Sequence, residues 1–333
     1  MIAPMTPADH DPEALRARLD RAILRAQPEF DSVEVSQRAG VEPDLARRLW
    51  RALGFPDAGG EAVFTEADVD AVRKMSGAAE QGLDLDTLVR MTRAVGTTMS
   101  RLADWEIGNL IGAFDLTNPT PAELTERLRA AAALVEQINP LFEELLVYSW
   151  RRHLVAAVAR AEALVPEVDE TEVVTTVGFA DLVSFTSTTN ALDEDEIGDL
   201  VEIFESRCAD VVSARRGRVI KSLGDSVLFV ADRAEDAVHI AWDIVSVIGG
   251  DHRLPDVRVG IATGPSVFRM GDVYGPSVNL AARLTQVARR NRVIIDRATG
   301  AALPAETFEL RVLPARAMRG FGDIEPVAVR RTR

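Results

Sequence analysis

Apolar positions recur every three to four residues through the first half of the chain, then give way to short β-rich runs. After Pro12-Glu13-Ala14, residues Leu15, Leu19, Ile23 and Leu24 share one helical face. Asp31 to Trp50 reads as two short helices joined at Gly40, with Pro43 in the first turn of the second. Phe64-Thr-Glu-Ala-Asp opens another helix with Thr65 as its cap. Further helices are expected at about 82–95, 98–112 and 120–137. After Pro140 no Gly or Pro occurs before Pro166, and Leu141, Leu145, Leu146, Trp150, Leu154, Val155 and Val158 keep helical spacing. That stretch predicts one long helix over 140–165. It reads equally as a core helix and as a connector that carries a signal.

The pattern changes near residue 172. Val173 to Phe179 is β-branched and apolar, and a helix is expected from about Ile197 to Arg215. Arg218 to Val230 reads as strand, Gly-Asp turn, strand. A helix over about 233–249, a strand over Arg258–Thr263, a helix over Asn279–Arg289 and a strand over Val293–Asp296 follow. The hairpin interrupts the alternation of strand and helix, so the sheet should be mixed α+β and not purely parallel. Two domains are expected: an all-helical one over 1–165 and an α+β one over 166–333.

Composition narrows the function. The single cysteine, Cys208, excludes a disulfide framework and a Cys-rich zinc site and fits a reducing compartment. No apolar run approaches the ~20 residues that span a bilayer, and Met1 to Pro12 shows no signal peptide, so a cytoplasmic protein is expected. Of the net charge of −14, residues 1–150 carry −10 (25 acidic, 15 basic). That balance is a poor match for nucleic acid. Asp31 to Phe55 nevertheless has helix-turn-helix form, which keeps a DNA-binding regulator as the rival class.

The chemistry-bearing residues are scattered. Asp181 is expected just past the end of an apolar strand, where it reads as a cation ligand or, equally, as a helix cap. Asp225 sits at the tip of the hairpin, and Gly-Asp is also ordinary turn chemistry. Lys221, four residues earlier, is one of only two lysines among 38 basic residues. Asp272 lies in a Gly/Pro-containing segment that leads into a helix, and Asn279 and Arg283, four apart, share a face of that helix. An amide and a guanidinium so placed suit an anionic oxygen.

Taken in order, Asp181, Lys221, Asp225, Asp272, Asn279 and Arg283 resemble the catalytic domain of class III nucleotidyl cyclases. The likeness covers roughly residues 170–333 and is nearest to soluble mycobacterial adenylate cyclases with an N-terminal regulatory domain. The resemblance implies a ferredoxin-like fold and a homodimer whose two composite sites convert ATP to cyclic AMP and pyrophosphate. It implies that Asp181 and Asp225, with the carbonyl of Leu182, hold two divalent ions, Mg²⁺ or Mn²⁺. Lys221 and Asp272 of the other subunit would read adenine, Asn279 would orient the ribose, and Arg283 would steady the transition state. Arg319 aligns with a family lysine that binds triphosphate. Regulation by residues 1–165, in the sense of autoinhibition, is also implied. His153, on the connector, is the residue through which control could depend on pH.

Overall fold

The computed structural model describes residues 12–56, 59–112, 121–163, 173–190, 192–269 and 271–331. The chain divides into two compact units, one ending at Arg160 and the other beginning at Ala161.

The first unit is helical: α1 (Pro12–Leu24), α2 (Ser32–Ala39), α3 (Pro43–Leu53), α4 (Glu66–Glu80), α5 (Leu85–Gly112) and α6 (Pro121–Ala163). Asp31 caps α2 by accepting from the amides of Val33 and Glu34, and Gly40 ends it at φ 68°. Pro43 opens α3, and Thr65 caps α4. Val35, Ala46, Trp50, Phe64, Val69 and Val72 form one core, with the Trp50 and Phe64 rings stacked at 4.6 Å. Two breaks expected from the sequence are absent. Residues 85–95 and 98–112 lie in one helix, α5, because Gly96 serves packing: a Cβ there would stand 2.3 Å from the Leu53 carbonyl oxygen of α3. Residues 121–137 and the 140–163 part of the connector also form one helix, α6, which runs through Pro140, and residue 120 lies outside the described residues. Pro140 is exposed, so water can take the carbonyl that the missing amide leaves unpaired. Residues 164–165 of the expected connector lie outside the described residues.

The second unit contains β1 (Val173–Leu182), α7 (Phe185–Thr189), α8 (Glu194–Ala214), β2 (Arg218–Ser222), β3 (Ser226–Ala231), α9 (Ala234–Gly249), β4 (Val257–Arg269), β5 (Asp272–Tyr274), α10 (Pro276–Val287), β6 (Arg292–Ile295), α11 (Arg297–Ala301), β7 (Phe308–Val312), β8 (Arg316–Met318), β9 (Gly322–Ile324) and β10 (Val327–Arg331). Its sheet runs β2-β3-β1-β4-β6-β10-β7, with β5 on β4 and a separate β8–β9 hairpin. The segment β1-α8-β2-β3-α9-β4 gives the antiparallel order β2-β3-β1-β4, which is the βαββαβ plan of the ferredoxin-like fold. Strand alternation supplies both faces. Ala180, Leu182, Val227, Phe229, Val259 and Ile261 bury against Phe204, Val212, Ile240 and Ile244 of α8 and α9. The next residues along, Val177, Leu228, Val230 and Ala262, bury against Ala281 and Leu284 of α10.

The pose of α10 depends on Gly260 of β4. A Cβ there would meet the Thr285 amide at 2.2 Å and the Ala281 carbonyl oxygen at 2.5 Å, both backbone atoms that cannot turn aside. Gly260→Ala is therefore expected to lower stability by ~2 kcal/mol through overpacking. The check is a urea melt that shows a lower midpoint with an unchanged slope.

Candidate active site

β1 carries Asp181 as its next-to-last residue, opposite Ser226 of β3 and Arg258 of β4. This corrects the expectation that Asp181 follows the strand: β1 continues to Leu182, because Leu182 fills the α8–α9 core. Strand pairing brings the second aspartate close, with the Leu182 amide donating to the Asp225 carbonyl at 2.9 Å. Arg258 supplies a cation, its Nε and Nη2 standing 2.8 and 2.7 Å from Asp181 Oδ2. Burial raises the Asp181 pKa, Arg258 works against that rise, Asp225 adds to it, and the net effect is upward. Two carboxylates that crowd each other's charge in a half-buried place are chemically suited to a cation. Among the described residues no group of three or more His, Cys, Asp or Glu is placed to hold a metal ion. An ion at Asp181 and Asp225 would thus complete its shell from carbonyl and phosphate oxygens, as Mg²⁺ does in nucleotide sites.

Lys221 lies on β2, where the register with β3 shifts between Val219 and Lys221. Such a bulge re-aims the side chains beside it. Spacing sets Lys221 four residues from Asp225 and the family resemblance groups it with Asp272; its ammonium meets Asp272 Oδ2 at 2.5 Å. Asp272 opens β5 and also accepts from the Val273 amide at 2.8 Å. Burial pushes the Asp272 pKa up, but Lys221 and that amide outweigh it and hold the carboxyl below its ordinary range. Two pairs therefore form within the chain: Asp181 with Asp225, and Lys221 with Asp272.

α10 presents the remaining groups. Asn279 is exposed, and Arg283 is half-buried with Nη1 3.2 Å from Gln286 Oε1. Both project from the helix that Gly260 seats against the sheet. Arg319 is exposed in the turn between β8 and β9. His153 is exposed on α6 in the first unit. Sequence reasoning missed Arg258. Its only signal was an arginine inside the apolar run Val257-Arg-Val-Gly-Ile, and only strand register reveals that it faces Asp181. Cys208 is fully buried, and burial pushes its thiol up to about 12, so it offers no nucleophile.

Residues 20–154 match the family described as adenylate cyclase regulatory domain, and residues 167–330 match adenylate and guanylate cyclase catalytic domain. The chain is 39% identical to an adenylate cyclase of Streptomyces coelicolor over 350 residues, covering 96% of this chain and 90% of that protein. It is 42% identical to an adenylate cyclase of Streptomyces griseus over 288 residues, 85% of this chain and 71% of that one. A pH-sensitive adenylate cyclase of Mycobacterium tuberculosis, MT1302, is 30% identical over 90% of this chain and 77% of its own length. Among solved structures, the catalytic core of a rhodopsin-guanylyl cyclase with converted specificity, in complex with ATPαS, superposes with a TM-score of 0.46 at 21% identity. It covers 48% of this chain and 96% of that one.

Proposed function

The chain belongs to the class III adenylate cyclase family, and from that premise we propose that it converts ATP to 3′,5′-cyclic AMP and pyrophosphate in a homodimer with two composite sites. The observation that carries the reading is the pair of carboxylates, Asp181 near the end of β1 and Asp225 in the turn just before the adjoining strand β3, beside a cation. They would hold two divalent ions, Mg²⁺ or Mn²⁺, together with the Leu182 carbonyl. Bound metal supplies an acidified 3′-hydroxyl and neutralises triphosphate charge. The chain's own residues do the rest. In the reaction the ribose O3′ bonds to the α-phosphorus, the bond from that phosphorus to the α,β-bridging oxygen breaks, pyrophosphate leaves with that oxygen, and the hydroxyl proton passes to solvent water. Positioning and charge stabilisation dominate such a transfer.

Lys221 would donate to adenine N1 and Asp272 would accept from its 6-amino group. Asn279 would orient the ribose, Arg283 would meet charge as it develops, and Arg319 would bind the triphosphate. Arg258 joins this set. With Asp181 engaged by a cation, the Arg258 guanidinium at its side would be free to meet a phosphate oxygen. In a homodimer the metal-holding pair of one subunit faces the base-reading pair of its partner, which accounts for the separation of the two pairs within one chain.

The first unit is read as a regulator and not as a DNA reader. Arg47 and Arg48, on the helix that would enter a groove, are held by Asp44 and Asp86, each at 2.6 Å. Leu49 and Ala52 of the same helix pack on Leu88 and Val89. Among the described residues no helix is long and apolar enough to cross a membrane; together with the reducing-compartment chemistry of one cysteine, this supports a cytoplasmic enzyme. The regulation is autoinhibitory, and His153, between Arg152 and Leu154 on an exposed stretch of α6, is its proposed pH-responsive group.

The test uses purified full chain and residues 166–333 alone, with ATP or GTP, Mg²⁺ or Mn²⁺, over pH 5.5–8 (a range set about the ordinary histidine pKa of ~6.5). Cyclic AMP from ATP is expected, with higher turnover in the truncated chain. Equal turnover removes autoinhibition, and no cyclic AMP from either form removes the catalytic reading. A pH profile unmoved by His153→Gln removes the sensor.

A further inference from the structure

Five arginines surround one cavity at the far end of the second unit's sheet. Arg289 follows α10, Arg292 opens β6, Arg311 stands on β7, Arg316 on β8 and Arg330 on β10, around a space of about 530 Å³. Glu309 is the single carboxylate among the described residues of the lining. Five positive charges less one negative leave +4 on this rim, in a chain whose net charge is −14. Among the described residues Arg289, Arg311, Arg316 and Arg330 make no ion pair, and Arg292 donates to the Asn291 carbonyl at 3.0 Å. Composition does not produce such a cluster by default, and like charges around a low-dielectric wall repel one another and attract an anion.

The cavity's floor has the opposite character. Val287 is exposed, Leu313 and Ala328 are half-buried, and Trp242 of α9 adds an aromatic surface. The indole nitrogen of Trp242 is one of two buried side-chain polar atoms that lack a hydrogen-bond partner among the described residues. A cationic rim over an apolar, partly aromatic floor, at a volume within the ~300–1,000 Å³ of small-molecule sites, suits a ligand with two ends. None of the candidate catalytic residues lines it.

We propose that this cavity is a second ligand site, which binds a phosphomonoester carried on a planar apolar body: an aryl phosphate or a nucleotide. The arginine forks grip the phosphate oxygens in pairs, and the ring lies on the floor beside Trp242. Inorganic phosphate satisfies only the rim.

The experiment titrates full-length protein with phenyl phosphate, with adenosine 5′-monophosphate and with inorganic phosphate, following tryptophan fluorescence and, in parallel, calorimetric heat. It needs no turnover, so its failure is distinct from failure of the cyclase reading. Both organic phosphates are expected to change the fluorescence saturably and to bind about tenfold more tightly than inorganic phosphate. The change should vanish in Trp242→Phe while the heat persists. The triple variant Arg311→Gln, Arg316→Gln, Arg330→Gln should weaken phenyl phosphate binding at least ~tenfold, and Arg330→Lys alone should weaken it by less, since Lys keeps the charge but not the fork. Lys221→Ala should leave phenyl phosphate binding unchanged. The proposal is overturned by any of four results: no saturable binding at millimolar phenyl phosphate, equal affinity for inorganic phosphate, binding unchanged in the folded triple variant, or binding lost in Lys221→Ala.

Discussion

Asp181→Asn or Asp225→Asn is expected to lower cyclic AMP formation by about 1000-fold, a loss of ~4 kcal/mol of transition-state stabilisation. The amide keeps the shape of the carboxylate and removes the charge that would hold a divalent ion. Stability should move the other way. The folded-state pKa of Asp181 is raised, chiefly by burial and also by Asp225, in spite of Arg258. A raised carboxyl contributes stability that is present below its unfolded value and lost as pH rises through the folded one. Above the folded value the carboxyl adds nothing to the metal-free fold, and Asp181→Asn should melt no lower than the wild type in chelator at alkaline pH. Adding Mg²⁺ or Mn²⁺ should raise the melting temperature of the wild type and leave that of both variants in place. A variant with normal metal-induced stabilisation would show that these carboxylates do not hold the ion. The same variants test the dimer. Mixing Asp181→Asn with Lys221→Ala, each inactive alone, should restore about a quarter of wild-type activity: half the dimers are mixed and each has one intact site. No recovery after subunit exchange would place the whole site in one chain.

Much of this was legible from the order of residues because the fold's periodicities are strong. The strands β1, β3 and β4 read as apolar runs because both faces of the sheet are covered, and the Gly224-Asp225 turn between β2 and β3 declares itself. The breaks that failed at Gly96 and Pro140 failed for one reason. A helix-breaking residue is a local signal, and tertiary packing or solvent access decides whether it is obeyed. The short strands β5, β7, β8, β9 and β10 were not expected. Three of them span three residues, too few for a period to register, and β7 alternates charged with apolar residues at an edge. In the site, the residue types were readable from the pattern, but the grouping of Lys221 with Asp272 came only from the family resemblance. Spacing alone sets Lys221 beside Asp225, and the bulge in β2 and the return of β5 along β4 give the contact with Asp272. Arg258 escaped notice for the related reason that cross-strand partners depend on register, and a shift of one residue would turn it to the other face.

That pairing sets the second large effect. Exchanging Lys221→Glu and Asp272→Cys together is expected to shift the ratio of ATP to GTP turnover by about 1000-fold toward GTP. Adenine presents an acceptor at N1 and a donor at its 6-amino group; guanine presents a donor and an acceptor at the corresponding atoms. Lys221 and Asp272 match the first and leave the second with its buried polar edge unpaired, which is how hydrogen-bonded pockets reject a wrong base. The single change Lys221→Glu should behave worse than the double. It would set a carboxylate against Asp272, whose partner now stands at 2.5 Å, and the two like charges would expel both substrates. Activity on GTP should therefore appear only when both residues change, a coupling larger than the sum of the single effects. Nor should the preference of the wild type vary with pH between 5.5 and 8. The Asp272 pKa is lowered in the fold, so the stability of the ion pair is present above the unfolded value near 3.8 and lost only as pH falls through the folded one. Measuring kcat/KM for both nucleotides across that range, in the wild type and the double variant, decides the matter. A wild-type ratio that changes tenfold with pH, or a double variant that still prefers ATP, would take base reading away from this pair.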